Sequence, residues 1–128
     1  MNIARSYALL LGVVLTAVGI LGFIPALAPN NNLLGIFAIN PAHDVVHLAS
    51  GVVGLLAYFA GAAASRVYAG VFGLVYALVT VVGFVQMTSV LGIIPVNTAD
   101  NLLHTAIAVA SLAVFALAGG RNTATARA

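Results

Sequence analysis

The chain has no cysteine among its 128 residues, which excludes a disulfide framework, thiolate metal sites and thiol redox chemistry. It has no lysine either, so its basic charge rests on four arginines against two acids, a surplus too small to indicate nucleic-acid binding. Charge of any sign is scarce. Charged residues make up 5% of the chain and hydrophobic residues 63%, which leaves too little polar surface to cover a particle in water. No nucleophile elbow, phosphate-binding loop or H-E-x-x-H motif occurs, so no catalytic set is recognisable and the chain is not expected to be an enzyme.

What the chain does contain is apolar sequence. Four stretches, at about residues 7–27, 45–64, 67–90 and 102–118, each approach the roughly 20 residues that cross roughly 30 Å of hydrocarbon. The first imitates a signal peptide, with a basic start and the small-residue run Ala26-Leu27-Ala28. Its counterpart at 67–90 lies mid-chain, where no signal peptide can be, so the first stretch is expected to be a retained span.

That counterpart is part of an internal repeat. Arg5, Tyr7, Gly12 and Gly22-Phe23 recur sixty-one residues later as Arg66, Tyr68, Gly73 and Gly83-Phe84. After a four-residue deletion, Gly35, Asn40, Ala42 and His47 recur fifty-seven residues later as Gly92, Asn97, Ala99 and His104. The expected fold is an all-α integral membrane four-helix bundle of two tandem two-helix repeats. The repeats cover about 5–64 and 66–119 of a single membrane domain, 1–128, with a short tail at 120–128. A two-span unit repeated in tandem keeps its orientation, so a pseudo-two-fold axis should run along the membrane normal.

The charges fit this order. Arg5, Arg66, Arg121 and Arg127 all fall on one side of the expected bundle, and Asp44 and Asp100 on the other. The positive-inside rule then predicts a bacterial cytoplasmic membrane protein with both termini in the cytoplasm and the acidic connections outside. Tyr7 and Tyr68 read as interfacial anchors on the inner side. Ala8 and Gly12, Gly12 and Gly19, Gly51 and Gly54, Ala57 and Gly61, and Ala106 and Ala110 are spaced to let helices approach closely. In the first outer connection, the apolar run 33–39 is too short to span and should lie at the interface or re-enter slightly. The second connection, about 92–97, is shorter.

Both outer connections end in polar motifs, Asn40-Pro41-Ala42-His43-Asp44-Val45-Val46-His47 and Asn97-Thr98-Ala99-Asp100-Asn101-Leu102-Leu103-His104. Asn40 followed by Pro41 reads as a helix start, because Asn caps orphan amides and proline suits the first helical position. Asn97 with Asp100 three residues on is a similar start. His43 and His47 are four apart and share a helix face, and Asp100 and His104 hold the matching positions of the other repeat. Three readings follow. The motifs could be helix caps whose histidines bond to carbonyls, asparagines or water. His43, His47, Asp100 and His104 could converge on a divalent transition metal such as zinc. His47 and His104 could bracket a haem iron as axial ligands. Asp44, Asn101 and Gln86 are possible outer hydrogen-bond partners of such a site. Ser50 and Ser111, with Thr16 and Thr80, read as bonding their own helix or a neighbour.

At Gly22-Phe23-Ile24-Pro25, the first motif and the stretch from Ile94-Pro95-Val96 through the second, the chain resembles a family of small four-helix bacterial membrane proteins described only as a domain of unknown function. The family's first motif carries Asn where this chain has Asp44, and its second carries Pro where this chain has Thr98. The resemblance implies an integral membrane protein and brings no activity. The leading expectation is a non-catalytic accessory, scaffold or self-associating subunit, a homo-oligomer or part of a larger membrane complex. The alternative is a metal- or haem-binding protein using the His/Asp residues. A transporter ranks below both, since no acid lies mid-span.

Overall fold

A computed structural model describes residues 2–127, and their side chains from Asn2 to Gly120. Four helices, α1 (Ile3–Leu21), α2 (Pro41–Ala60), α3 (Ala62–Gln86) and α4 (Thr98–Arg127), make the protein all-α apart from two short hairpins. Each is long and apolar enough to cross a membrane, α4 over Thr98–Gly120. Only 33–39% of each apolar window is buried. Large side chains such as Leu10, Phe59, Leu74 and Val85 stand on the outside. So much exposed apolar surface suits lipid and not water.

The helix ends follow from local chemistry. Asn2 caps α1, its Oδ1 accepting from the amides of Ala4 and Arg5 at 2.8 and 3.2 Å. α1 stops six residues before the end of the expected 7–27 stretch, because Pro25 forces Ile24 into extended backbone and opens a 3-10 turn, Pro25–Leu27, followed by a second, Pro29–Asn31. α2 and α3 are joined at Gly61, whose φ of +119° only glycine adopts readily. Gly61 is therefore a turn residue and not the helix contact expected of the Ala57–Gly61 pair.

α1 packs chiefly on α2, and α3 on α4. The α1–α2 approach is the closer one to read: a β-carbon on Gly19 would lie 2.6 Å from the backbone nitrogen of Leu48, and one on Gly51 would strike Thr16. Ala8, Gly12, Gly19, Gly51 and Gly54 are all buried. Ala106 and Ala110 are exposed and make no such contact, since α4 turns its Ile107, Ala108 and Ser111 face inward instead.

Two tyrosines link one helix pair to the other. The Tyr68 hydroxyl donates to the Ser50 carbonyl at 2.9 Å, and Tyr7 donates to the Ile107 carbonyl at 3.4 Å and pairs with the Ser111 hydroxyl. This corrects the reading of Tyr7 and Tyr68 as interfacial anchors: Tyr68 is 3% exposed and Tyr7 half-buried, their phenols pointing into the bundle. A phenol inside an apolar core needs a partner for its O–H, and a carbonyl on the facing helix supplies it.

At the far end of the bundle from the polar motifs, Arg5 Nε donates to the carbonyl of Tyr58 at 3.2 Å and Arg66 Nε to that of Phe115 at 3.1 Å. Their guanidinium carbons sit 4.9 and 4.0 Å from the centres of those same rings. The Tyr58 carbonyl lies in the last turn of α2, where positive charge is favourable, while Phe115 lies well inside α4. The side chains of Arg121 and Arg127, which share in the expected topology, lie outside the described residues.

Candidate functional site

The site is built on the two connections at the opposite end. Each contains a minimal hairpin: β1 (Asn32–Leu33) pairs with β2 (Phe37–Ala38), and β3 (Ser89–Val90) with β4 (Ile94–Pro95). Leu34 and Gly35 (φ +54° and +73°) turn the first, and Leu91 and Gly92 (φ +56° and +70°) the second. Positive φ at both central residues is the turn geometry that matches strand twist. The apolar run 33–39 is this hairpin. Gln86, expected near the histidines, is exposed at the end of α3 and spends its Oε1 on the Leu91 amide at 2.7 Å, so its work is to hold the second hairpin.

The hairpins are tied to each other across the bundle. Asn40 Nδ2 donates to the Ile93 carbonyl at 2.9 Å, and Asn97 Nδ2 to the Ile36 carbonyl at 2.8 Å. These two bonds join positions that the fifty-seven-residue register makes equivalent. The other end of each amide caps a helix: Asn40 Oδ1 accepts from the His43 amide at 2.8 Å and Asn97 Oδ1 from the Asp100 amide at 2.9 Å. Pro41 occupies the first turn of α2, where its missing N–H costs no hydrogen bond.

Fixing the first turns of α2 and α4 in this way sets three imidazoles together. His43, His47 and His104 are 1%, 3% and 1% exposed. One ring nitrogen from each lies within 4.8 Å of the others. The ring centres of His43 and His47 are 4.5 Å apart, and His104 stands 5.6 and 5.8 Å from them. The backbones of Ala38 and Pro95 flank the His43 ring. Yet both nitrogens of His43, both of His47 and Nδ1 of His104 have no hydrogen-bond partner with good geometry. A buried polar atom left unpaired costs about 1–3 kcal/mol. Five of them would cost on the order of a whole domain's stability, about 5–15 kcal/mol. An ion or a water at this place would meet some of these nitrogens, beside the backbone bonds to Ala38 and Pro95 that the His43 ring can also form.

The space available is small. A cavity of about 20 Å³ lies among His43, His47, His104, Tyr76, Val79 and Ile94. That admits one ion or one water. It does not admit a macrocycle, and His43 closes the gap between His47 and His104 that a haem would need. The haem reading is set aside on these grounds.

Asp100 does not join the histidines. Its Oδ2 accepts from the Asn97 amide at 2.9 Å, completing a reciprocal cap, and from the Ala38 amide of the other hairpin at 2.9 Å. The position equivalent to Ala38 is Pro95, which has no N–H to offer, and there the place of Asp100 is taken by His43. Asp44 and Asn101 point away from the imidazoles. The Asp44 carboxyl lies over Gly22 and the Asn101 carboxamide over Gly83, each where a β-carbon would collide with it. Neither is a partner of the cluster.

Two residues near the cluster had no place in the sequence reading of it. The Tyr76 ring centre is 5.6 Å from that of His104, and its hydroxyl donates to Ser50 Oγ at 3.3 Å. Ser50 Oγ itself donates to the Val46 carbonyl at 2.7 Å, as expected of a serine in a span. A tyrosine amid the apolar third span was the available signal, since its hydroxyl must find a partner there. Gly22-Phe23, the two capped motifs and the apolar stretches 7–27, 45–64, 67–90 and 102–118 all fall within residues 5–118. No curated protein and no solved structure matches the chain. Residues 5–118 match a family profile, and by that match the chain belongs to the family described as the domain of unknown function DUF4383.

Proposed function

We propose that this is a small, non-catalytic membrane protein that holds one divalent transition metal, such as zinc, between His43, His47 and His104. The observation that carries the reading is the convergence of three buried imidazoles, most of whose nitrogens have no hydrogen-bond partner of good geometry in the chain. Nitrogens 2.0–2.1 Å from zinc stand about 3.3 Å apart in a tetrahedron. The observed separation of up to 4.8 Å has to shrink by about 1.5 Å for one ion to reach all three. Neutral imidazole suits zinc, copper, iron and nickel, and the absence of cysteine rules out thiolate competition. A cavity of about 20 Å³ beside the ligands has no room for an organic substrate. That supports a structural or metal-handling role over catalysis, as an accessory or self-associating subunit.

The arginine and histidine ends give the orientation we propose. Arg5 and Arg66 would face the cytoplasm of a bacterial inner membrane, and the hairpins and histidines the outer side. The reciprocal Asn40–Ile93 and Asn97–Ile36 bonds support two equivalent halves about an axis along the membrane normal.

The test is metal content by mass spectrometry on protein purified without a histidine tag and then dialysed against equimolar zinc, beside His47→Ala/His104→Ala. Near-stoichiometric zinc in the wild type and under about a tenth of that in the variant is expected. Cobalt loading should give the intense visible bands of a tetrahedral site. A wild type that stays folded by circular dichroism and retains no metal would overturn the proposal.

A further inference from the structure

A second polar feature lies on the other side of α2, and its carboxylate and cavity have no counterpart among the described residues of the other half. Asp44 is 2% exposed, yet its Oδ1 has no partner and no residue with a described side chain pairs with its carboxylate. It lines a cavity of about 240 Å³ together with Phe23, Pro25, Asn31 and Ile39. The equivalent position in the second half is Asn101, which is neutral, and α3 there continues to Gln86 where the first half breaks into the turns Pro25–Leu27 and Pro29–Asn31. The cavity thus exists where the chain has both the carboxylate and the extra turns that wall it.

The chemistry of the lining selects the ligand. A buried anion calls for a cation. A hard metal ion wants six to eight oxygens, or an octahedron of them. Here Asp44 supplies one carboxylate, and the amide of neighbouring Asn40 is already engaged at both ends. The remaining walls are mainly apolar, Phe23, Pro25, Ala28, Ile39 and Pro41, and suit the carbon of an organic cation, with the Asn31 side chain as a further polar wall. The cavity, about 240 Å³ on the measure that gave about 20 Å³ beside the histidines, has room for several water-sized groups. That is the size of a small amine. We infer that Asp44 and the Pro25–Asn31 turns form a binding site for a small organic ammonium ion, either free or carried on a lipid headgroup.

The experiment uses the full chain in nanodiscs of phosphatidylglycerol, titrated calorimetrically with ethanolammonium chloride at fixed pH and ionic strength. The comparison variant is Asp44→Asn, which copies the residue already present at the equivalent position 101 and whose folding is checked by its unchanged circular dichroism. Saturable binding to the wild type, weakened at least about tenfold in Asp44→Asn, is expected for loss of a charge-assisted bond. Repeating the titration in discs that contain phosphatidylethanolamine separates the sources. Loss of the ethanolammonium signal there assigns the site to a headgroup, and its persistence assigns it to a free amine. The inference fails if the wild type shows no saturable binding in either disc, if Asp44→Asn binds equally well, or if sodium chloride competes as effectively as ethanolammonium.

Discussion

The two halves of the chain share many of the contacts that hold the bundle together and differ in the side chains they bring to the hairpin end. Arg5 on Tyr58 has its counterpart in Arg66 on Phe115, and Tyr68 on Ser50 in Tyr7 on Ile107. Asn40 on Ile93 has its counterpart in Asn97 on Ile36. Each of these contacts holds helices or hairpins together. At the hairpin end the halves depart at His43 against Asp100, Ala38 against Pro95 and Asp44 against Asn101. These departures produce the third imidazole, the cross-hairpin acceptor and the unpaired carboxylate. A duplicated bundle can keep its packing on the shared residues while the unshared ones supply chemistry at a single place. The comparison therefore separates residues whose loss should lower stability from residues whose loss should empty a site.

The largest expected effect tests that separation at His43 and Asp100, which hold equivalent positions. His43→Ala should reduce bound zinc from near one per chain to under about a tenth, because two imidazoles alone rarely retain the ion. Asp100→Asn should leave zinc content unchanged and lower stability by about 1–3 kcal/mol, since its carboxylate serves two backbone amides. Metal analysis and thermal unfolding of the same two preparations read both numbers. If Asp100→Asn loses the metal while remaining folded, the carboxylate is a ligand and the division between the halves breaks down.

The second effect concerns how tightly each half is packed. The residue equivalent to Gly19 is Thr80, and the one equivalent to Gly51 is Ala108. Gly19→Thr makes the first half like the second and drives a β-carbon into the Leu48 backbone, which cannot swing aside. A loss of about 1–3 kcal/mol or more is expected. Thr80→Gly makes the second half like the first and should cost only about 0.3 kcal/mol in helix propensity, since glycine is about 1 and threonine about 0.7 kcal/mol poorer than alanine. Denaturant titration in detergent measures both, and equal losses would show that the α1–α2 approach is not special.

Most of the scaffold was legible in the sequence, and the reason is physical. A run of about 20 apolar residues has few fates other than a span. Asn40-Pro41 and the Asn97–Asp100 spacing carry their capping chemistry within four residues of chain. Helix spacing and the repeat register allowed His43, His47, Asp100 and His104 to converge as one of three readings, and the three histidines do lie together. What could not be read depended on distant partners. Asp100 is equally a cap and a ligand until the Ala38 amide, sixty-two residues away in sequence, is placed beside it. Gln86 looks like a span residue until the β3–β4 hairpin brings the Leu91 amide to it. Tyr7 and Tyr68, next but one to arginines, satisfy every local cue for interfacial anchors, and only the carbonyls of the other helix pair show why they turn inward.

Those tyrosines give the smallest and most discriminating comparison. Tyr68→Phe removes a 2.9 Å hydrogen bond to the Ser50 carbonyl in a fully buried setting. The carbonyl keeps its place in the helix ladder, so the loss should be about 1 kcal/mol, the net worth of a typical bond. Tyr7→Phe removes a longer bond of 3.4 Å and leaves the Ser111 hydroxyl without its phenol partner. Ser111 is completely buried, but it lies four residues after Ile107, and a serine in a helix can turn its hydroxyl back to that carbonyl. The loss should therefore stay under about 0.5 kcal/mol, within the lower range for such bonds. Thermal unfolding of the two single variants decides it. A Tyr7→Phe loss as large as that of Tyr68→Phe would mean that Ser111 is held by the phenol and cannot recover its bond. The two halves would then be coupled as strongly through α1 and α4 as through α2 and α3.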